Sequence, residues 1–282
     1  MKPTKTISIF SLGILSSMLL AGCNPSQTVQ PDNSTAETSG NTELTVSAAA
    51  SLQDVMKAIK PLYEEAYPDR EIVYNFASSG SLQRQIEQGA PVDVFISAAV
   101  DKMDTLEGKD LILTETRRDL LKNQMVLVIQ EGNKANLNIT DFSDLTTDKV
   151  NLIALGEPES VPAGRYAQEV LISFNMVEKV NSKAVYGKDV RQVLNYVATG
   201  NVEAGIVYRT DAQVSDNVEI IAIAPEDSHS PVIYPVAVIK DSDTPEMGKE
   251  LIEFLSTDEA QAIFEEYGFV PVSSDQQRTN NQ

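Results

Sequence analysis

The stretches TVSAAASLQDVMKAI (45–59) and IVYNFASSGSLQRQI (72–86) each pass from a strand-like run to a helix-like run. β-Branched and aromatic residues come first, as in a buried strand, and apolar residues three to four positions apart follow, as in an amphipathic helix. Strands that alternate with helices build mostly parallel sheets. The two stretches therefore predict an α/β fold, with a serine, Ser51 or Ser79, at each junction.

A serine at the point where a strand gives way to a helix has two interpretations. Its side chain is a preferred N-cap, so each of these serines could serve only to begin its helix. The first turn of a helix also leaves backbone N–H groups without partners, at the positive end of the helix dipole. If both junctions face one cleft, they form an anion-binding site. For either serine alone, capping is the simpler interpretation.

The rest of the body continues the alternation. Further strand-like segments occur at 92–98, 124–130, 151–156, 183–187, 204–210, 218–224 and 232–239, and helix-like segments at 101–107, 165–174, 189–200, 250–255 and 258–268. Ligands of open α/β sheets bind beyond the carboxyl ends of the strands, where helices begin. Two more helix starts, around Ala163 and Val190, and one strand end, at Tyr208, belong to the same class of position.

The chain begins like an exported lipoprotein. Lys2 and Lys5 precede an apolar run (7–21) that is too short to span a bilayer comfortably, and this run leads into Leu-Ala-Gly-Cys (20–23). That ending resembles a bacterial lipobox, which predicts a signal peptide at 1–22, a lipid on Cys23 and an anchor on the extracytoplasmic face of the cell membrane. The alternative is an ordinary signal peptide with an incidental cysteine. Cys23 is the only cysteine, so no intramolecular disulfide forms.

Two polar segments flank the body. Residues 24–42 and 273–282 have almost no apolar content, so they cannot bury enough surface to fold. We therefore expect the lipidated cysteine and a disordered tether at 23–42, a folded body at 43–272 and a disordered tail at 273–282.

The charge and the missing motifs exclude several functions. The chain has 22 Lys and Arg against 41 Asp and Glu, and loss of the signal peptide with its two lysines changes the net charge from −19 to −21. Such a balance argues against nucleic acid as a partner. The only histidine, His229, lies in a polar loop, and no nucleophile elbow or P-loop is present. The sequence therefore predicts no enzyme, with an unrecognised carboxylate hydrolase as the alternative, and most carboxylates are expected on solvated helix faces.

Six segments together resemble the molybdate-binding proteins of bacterial ABC importers: AAASL (48–52), FASSGSLQRQIEQGAPVDVFISA (76–98), VPAGRYAQE (161–169), DVRQVL (189–194), GIVYRTDA (205–212) and EDSHSPVIYPVAV (226–238). The resemblance covers about 43–272. It implies a two-lobed type II periplasmic-binding-protein fold with the ligand cleft between the lobes. The crossing strands would be 124–130 and 232–239, so lobe 1 would comprise 43–123 plus 233–272, and lobe 2 would comprise 124–232.

The resemblance also implies a function and a set of ligand-binding residues. The protein would bind molybdate or tungstate as an intact oxyanion, without a cofactor or direct metal coordination, and deliver it as a monomer to a membrane ABC permease. Ser51 and Ser79 would bind oxygens through hydroxyl and backbone N–H groups, Ala163 and Val190 through backbone N–H groups, and Tyr208 through its hydroxyl. A different oxyanion, tungstate first, remains an alternative ligand.

Three residues that lie close in sequence to the predicted binding residues bear on this prediction. Gly80 departs from the family, which often has a serine there. Arg165 and Arg191 adjoin the second-lobe donors. They either make the mouth of the cleft locally positive or are solvated helix residues.

Overall fold

The computed structural model describes residues 42–272 of the 282-residue chain. The predicted signal peptide, Cys23, nearly all of the predicted tether and the predicted tail lie outside the described residues. The first strand begins at Thr42, so the folded body starts one residue before the predicted boundary at 43.

The strands form two sheets. In chain order they are β1 (Thr42–Ala49), β2 (Arg70–Ala77), β3 (Val94–Ile96), β4 (Arg118–Asn123), β5 (Met125–Gln130), β6 (Ile153–Gly156), β7 (Ala184–Gly187), β8 (Ala204–Tyr208), β9 (Val218–Ile223), β10 (Val232–Val238) and β11 (Val270–Pro271). One sheet has the order β11-β4-β10-β3-β1-β2, and the other has the order β7-β6-β8-β5-β9. Strands β1, β2 and β3 pair in parallel, as do β6, β7 and β8, whereas every pair that involves β4, β5 or β10 is antiparallel.

The helices pack on these sheets. They are α1 (Gln53–Ala66), α2 (Ser79–Glu87), α3 (Val100–Gly108), α4 (Lys134–Leu137), α5 (Pro162–Ser173), α6 (Val177–Asn181), α7 (Val190–Ala198), α8 (Arg209–Gln213), α9 (Pro245–Phe254) and α10 (Asp258–Glu266). Helix α7 illustrates the amphipathic pattern by which a helix packs on a sheet. Its buried residues form one apolar stripe with spacings of one, three or four positions: Val190, Val193, Leu194 and Val197. Across 42–272, no helix has the length and apolar character needed to cross a membrane.

Each sheet and its helices form one lobe, and the chain passes between the lobes twice. Only Gln124 separates β4 of the first lobe from β5 of the second, and residues 224–231 lead from β9 back to β10. The segments predicted to cross, 124–130 and 232–239, therefore run within one sheet each, and the crossing occurs at their beginnings. Val232 pairs with Asn123 in the first sheet, one residue before the predicted return at 233.

Strand β4 is absent from the sequence prediction. Its buried residues, Leu120 and Leu121, are adjacent and are flanked by charged and polar residues. Neither a run of apolar residues nor a strict alternation is visible in such a segment. The strand forms because it pairs with β10 on one side and β11 on the other, and both partners come more than 100 residues later in the chain.

The register of the parallel pairs brings the helix starts to the sheet edges. Ala49 at the end of β1 lies opposite Ala77 at the end of β2, so both strands finish level with each other. In the second sheet Gly156 at the end of β6 lies opposite Gly187 at the end of β7. In the first sheet a 3-10 turn and α1 follow β1, and α2 follows β2. In the second sheet α5 follows β6, and α7 follows β7. Four helix starts therefore lie at the carboxyl edges of the two sheets.

Candidate functional site

The four helix starts converge on one small cavity between the lobes. The cavity has a volume of about 10 Å³ and is lined by Ala49, Ala50, Ser51, Ser78, Ser79, Ala98, Val161, Pro162, Ala163, Val190 and Tyr208. Its wall carries small side chains and hydroxyl groups, with no carboxylate, lysine or arginine side chain among these residues. A cleft with such a wall offers hydrogen-bond donors and no formal charge.

All five residues predicted to bind an oxyanion lie on this wall. Ser51 and Ser79 come from the first lobe, and Ala163, Val190 and Tyr208 come from the second. Each of the five is at least 96 % buried. The structure thus brings together residues that are up to 157 positions apart in the sequence, from Ser51 to Tyr208.

The hydroxyl of Ser79 is oriented by the backbone. Its Oγ accepts a hydrogen bond of 2.9 Å from the N–H of Ala98. A backbone N–H can only donate, so this bond occupies a lone pair of the serine and leaves its own hydrogen free to donate. Ser79 therefore presents a donor at the cavity rather than a capping group, and no side-chain cap is found at the start of α2.

Tyr208 contributes a hydroxyl without a partner. The side chain is 1 % exposed, and its hydroxyl is buried with no hydrogen bond within 42–272. A buried polar atom of this kind costs free energy, and such atoms are rare in folded proteins. Burial, followed by nearby tyrosines and Asp211, raises the pKa of Tyr208 well above 10, so the hydroxyl keeps its proton and remains a donor. The unmet donor points to a ligand that accepts hydrogen bonds.

The helix starts of the second lobe add backbone donors. Pro162 is the first residue of α5, where its missing N–H costs nothing. Ala163 follows in the first turn of the helix, where its backbone N–H has no intrahelical partner. At α7 the side chain of Asp189 caps only the N–H of Gln192, at 2.8 Å, so the N–H of Val190 has no intrahelical partner. Gly164 lets α5 begin against β6, because a Cβ there would lie 2.1 Å from the carbonyl oxygen of Gly156.

The sequence pattern of the bacterial extracellular solute-binding proteins matches residues 44–270 of this chain, nearly the whole of the described part. The chain belongs to this family. Because the family consists of solute-binding proteins, the protein is a binding protein rather than an enzyme.

Individual relatives agree with this assignment. A protein of Bacillus subtilis, provisionally named an ABC transporter substrate-binding lipoprotein, is 44 % identical over 94 % of this chain and 98 % of its own length. The molybdate-binding protein of Haemophilus influenzae is 38 % identical over 80 % of this chain and 89 % of its own. A solved structure from Clostridium difficile, provisionally named the substrate-binding domain of a molybdenum ABC transporter, is 44 % identical, covers 82 % of this chain and 99 % of its own, and has a TM-score of 0.64. The recognition of the family from sequence and the two-lobed type II fold are confirmed.

In this solute-binding protein the two lobes are in direct contact around the cavity. The N–H of Gly80 in the first lobe donates to the carbonyl oxygen of Ser160 in the second, at 3.0 Å. Arg165 of the second lobe lies 3.3 Å from Asp101 of the first. The structure therefore shows the solute-binding protein with its cleft closed.

Arg191 contacts the opposite lobe at two points. Its guanidinium lies 2.6 Å from Asp54 and donates to the carbonyl oxygen of Ser51 at 3.2 Å, both in the first lobe. Its Nε lies 2.8 Å from Asp211 of its own lobe, at an angle that makes an ionic contact without a hydrogen bond. Arg165 and Arg191 are therefore not free positive charges at the mouth of the cleft, because each is paired with one carboxylate of the other lobe.

Asp211 was not predicted from sequence. Its carboxylate is fully buried, although most carboxylates were expected on solvated helix faces. Burial raises its pKa from 3.8 to about 6, and Arg191 opposes that rise. A single acidic residue after a strand-ending tyrosine gave no signal of burial, because its environment is made by α7 and by the other lobe.

Two other groups complete the picture of the site. Tyr234, on β10, is fully buried with its hydroxyl 2.9 Å from Ser51 Oγ, and sequence analysis assigned it no role. His229 lies outside the cavity lining, where its ring packs 6.0 Å from the ring of Tyr166 and its Nδ1 contacts the Ser230 carbonyl oxygen. Among residues 42–272 no group of three or more His, Cys, Asp or Glu side chains is arranged to hold a metal ion.

Proposed function

We propose that this protein binds molybdate as an intact oxyanion in the cavity between its lobes and delivers it to a membrane ABC permease. The observation that carries the proposal is the unpartnered, fully buried hydroxyl of Tyr208, a residue that lines the same cavity as Ser51, Ser79 and the helix starts. The names of the relatives from Haemophilus influenzae and Clostridium difficile support molybdate over other oxyanions.

Neutral donors are enough to hold a dianion here. Burying a charge is very costly unless it is hydrogen-bonded. Each hydrogen bond to a charged group contributes roughly 1.5–3 kcal/mol, about twice as much as a neutral one. The proposed donors come from both lobes, so the full set acts only when the cleft is closed. The oxyanion binds the closed state more tightly than the open state, and its binding therefore shifts the protein toward the closed state.

The same set of donors gives selectivity in part. A protonated phosphate brings an O–H group, and an unmet buried donor costs about 1–3 kcal/mol. Sulfate carries no proton at neutral pH, so only size separates it from molybdate. Tungstate matches molybdate in charge and nearly in size, so we expect the two to bind comparably.

Calorimetric titration of residues 24–282 with molybdate, tungstate, sulfate and hydrogen phosphate tests the proposal. We expect molybdate and tungstate to bind with similar affinity and hydrogen phosphate to bind far more weakly. Ser79→Ala should weaken molybdate binding by roughly tenfold to hundredfold, because it removes one donor to a charged ligand, worth ~1–3 kcal/mol. Saturation at 100 times the dissociation constant should stabilise the parent protein by about 2.7 kcal/mol.

Ser242→Ala is the matched control for the serine variant. Ser242 donates to Asp93 at 2.6 Å, in the first lobe and outside the cavity lining, so its loss should leave molybdate affinity unchanged. A parent protein that neither binds nor is stabilised by any of the four oxyanions would contradict the proposed function. Tight molybdate binding by Ser79→Ala would contradict the assignment of the site.

We also propose that the protein is a lipid-anchored monomer with lobes at 42–123 plus 232–272 and at 124–231. The polar segment after Leu-Ala-Gly-Cys (20–23) gives the anchor its reach, and the Bacillus subtilis relative carries the word lipoprotein in its name. The boundary at 232 follows the pairing of Val232 with Asn123 in the first sheet.

Replacing Cys23 with serine should release the protein from the membrane, because the lipid has no other thiol to join. The measurement is fractionation of cells that express the full chain, together with incorporation of a labelled fatty acid. Ser26→Ala, three residues further on, keeps the cysteine and should remain in the membrane fraction. Continued labelling of Cys23→Ser would show that the lipobox was wrongly assigned.

A further inference from the structure

A chain of hydrogen bonds leads from the junction of the two lobes to Ser51. It begins at Asn123, whose Oδ1 accepts from the N–H of Gln124 at 2.9 Å. Because a backbone N–H can only donate, this bond fixes which end of the Asn123 amide is oxygen. The Nδ2 group consequently faces the other way, where it lies 2.8 Å from Thr210 Oγ1 and 3.2 Å from the hydroxyl of Tyr234.

The direction of the next hydrogen bond follows from the first. The hydroxyl of Tyr234 accepts from Asn123, so its single hydrogen remains for its other neighbour, Ser51 Oγ, at 2.9 Å. Burial raises the pKa of Tyr234 far above 10, so this hydrogen stays in place across the physiological range. The side chain is fully buried and packs against the rings of Tyr208 and Phe269, which hold the hydroxyl at this position.

Ser51 is thereby left with one hydrogen and an occupied lone pair. Tyr234 cannot accept that hydrogen, so the cavity is the remaining direction in which Ser51 can donate. We propose that Asn123 and Tyr234 are positioning residues that set the Ser51 hydroxyl as a donor to the ligand, and that this orientation favours oxyanions without a proton. The inference rests on the proposed oxyanion site and names what sets its preference.

The chain also ties the orientation of Ser51 to both lobes. Asn123 ends β4 and Tyr234 lies on β10, both in the first sheet, whereas Thr210 belongs to α8 of the second lobe. The Nδ2 group of Asn123 thus bonds to one group from each lobe at once. Ser51 receives a defined orientation at the place where the lobes meet.

A double-mutant cycle at pH 8 tests the direction of the chain. In Asn123→Asp the ionised carboxylate accepts the hydrogen of Tyr234, which frees Tyr234 to accept from Ser51 and turns the serine away from the ligand. We expect molybdate affinity to fall by roughly tenfold to hundredfold, since a donor to a charged group is lost. Tyr234→Phe should weaken binding by only about threefold to tenfold, because Ser51 keeps its hydrogen and loses its fixed orientation.

The double variant distinguishes a reversed hydrogen bond between Tyr234 and Ser51 from a general loss of packing or a change of charge. Without the Tyr234 hydroxyl, the introduced carboxylate cannot turn Ser51 around, so the double variant should bind molybdate more tightly than Asn123→Asp alone. Losses that multiply would overturn the inference, because they would mean independent effects on packing or charge. Tyr74→Phe is the control: it removes a tyrosine hydroxyl that donates to the Met56 carbonyl oxygen at 3.1 Å, and it should leave affinity unchanged.

A second measurement covers the case in which Asn123→Asp does not fold. The ratio of molybdate to hydrogen phosphate affinity, measured by competition, should shrink in Tyr234→Phe, because the freed Ser51 oxygen can accept a hydrogen bond from the O–H group of hydrogen phosphate. An unchanged ratio with both affinities lowered would overturn the inference. A parent protein that binds no oxyanion would instead overturn the proposed function, so the two failures are distinguishable.

Discussion

Gly80→Ala is expected to lower molybdate affinity by roughly hundredfold while leaving the ligand-free protein folded. A Cβ on residue 80 would lie 2.6 Å from the carbonyl oxygen of Ser160 and 2.9 Å from its Cα, both backbone atoms of the opposite lobe. The lobes cannot then approach as closely, and the 3.0 Å hydrogen bond from the Gly80 N–H is lost. Donors from one lobe no longer reach the ligand together with those from the other, at a cost of about 1.5–3 kcal/mol each.

Opposite effects on binding and stability identify the cause. Alanine is preferred over glycine within a helix by roughly 0.5–1 kcal/mol, so the ligand-free variant should melt at or above the parent temperature. Small-angle scattering with saturating molybdate should show a larger radius of gyration than in the parent. Gly108→Ala, where nothing lies within 4 Å of the added Cβ, is the matched control and should bind normally. Parent-like affinity in Gly80→Ala would mean that closure does not bring these backbones together.

Arg191→Met is expected to destabilise the protein by about 3–5 kcal/mol at neutral pH. The change removes the partner of Asp211, whose carboxylate is fully buried, and an unpaired buried charge is costly. It also removes the contacts with Asp54 and the Ser51 carbonyl oxygen, so molybdate affinity should fall as well. Chemical denaturation and calorimetry measure the two effects separately.

The pH dependence and a second substitution show whether Asp211 is the cause. The pKa of Asp211 is raised to about 6, so the folded state holds this proton more tightly than the unfolded state does. Protonation therefore stabilises the fold below about pH 4, and this contribution is lost as the pH rises through about 6. The deficit of Arg191→Met should shrink at pH 5 and below. Addition of Asp211→Asn to Arg191→Met should recover much of the lost stability at neutral pH. A loss of stability that changes neither with pH nor with Asp211→Asn would show that the Asp211 carboxylate is not its cause.

The helix starts could be predicted from sequence because they are local features. A serine, a proline or an aspartate at the start of an amphipathic pattern marks where a helix begins. The structure begins helices at Ser79 and Pro162, and begins another directly after Asp189. That Ser51 and Tyr208 would meet in one cavity came from the resemblance to a family. Local patterns do not encode which strand ends become neighbours.

The remaining features of the site depend on contacts between distant parts of the chain. Tyr234 lies 183 positions from Ser51, and nothing in its own segment distinguishes it from an ordinary core tyrosine. In the sequence, Gly80 is a minor departure within a serine-rich turn. In the structure, the backbone of the other lobe lies so close to Gly80 that the lobes can close only if residue 80 has no side chain. The burial of Asp211 is likewise a product of the assembled lobes.

The path of the chain through the two sheets has a consequence for how the protein is made. All strands of the second sheet come from residues 125–223, so this sheet can be completed while the end of the chain is still being synthesised or exported. The first sheet needs β10 and β11, which come from 232–271, to cover β3 and β4. Its contacts therefore span almost the whole body, and pairings of such large sequence separation form slowly. We therefore expect the lobe that begins the chain to be the last to finish folding, with the edge of β3 open to other chains until β10 pairs with it.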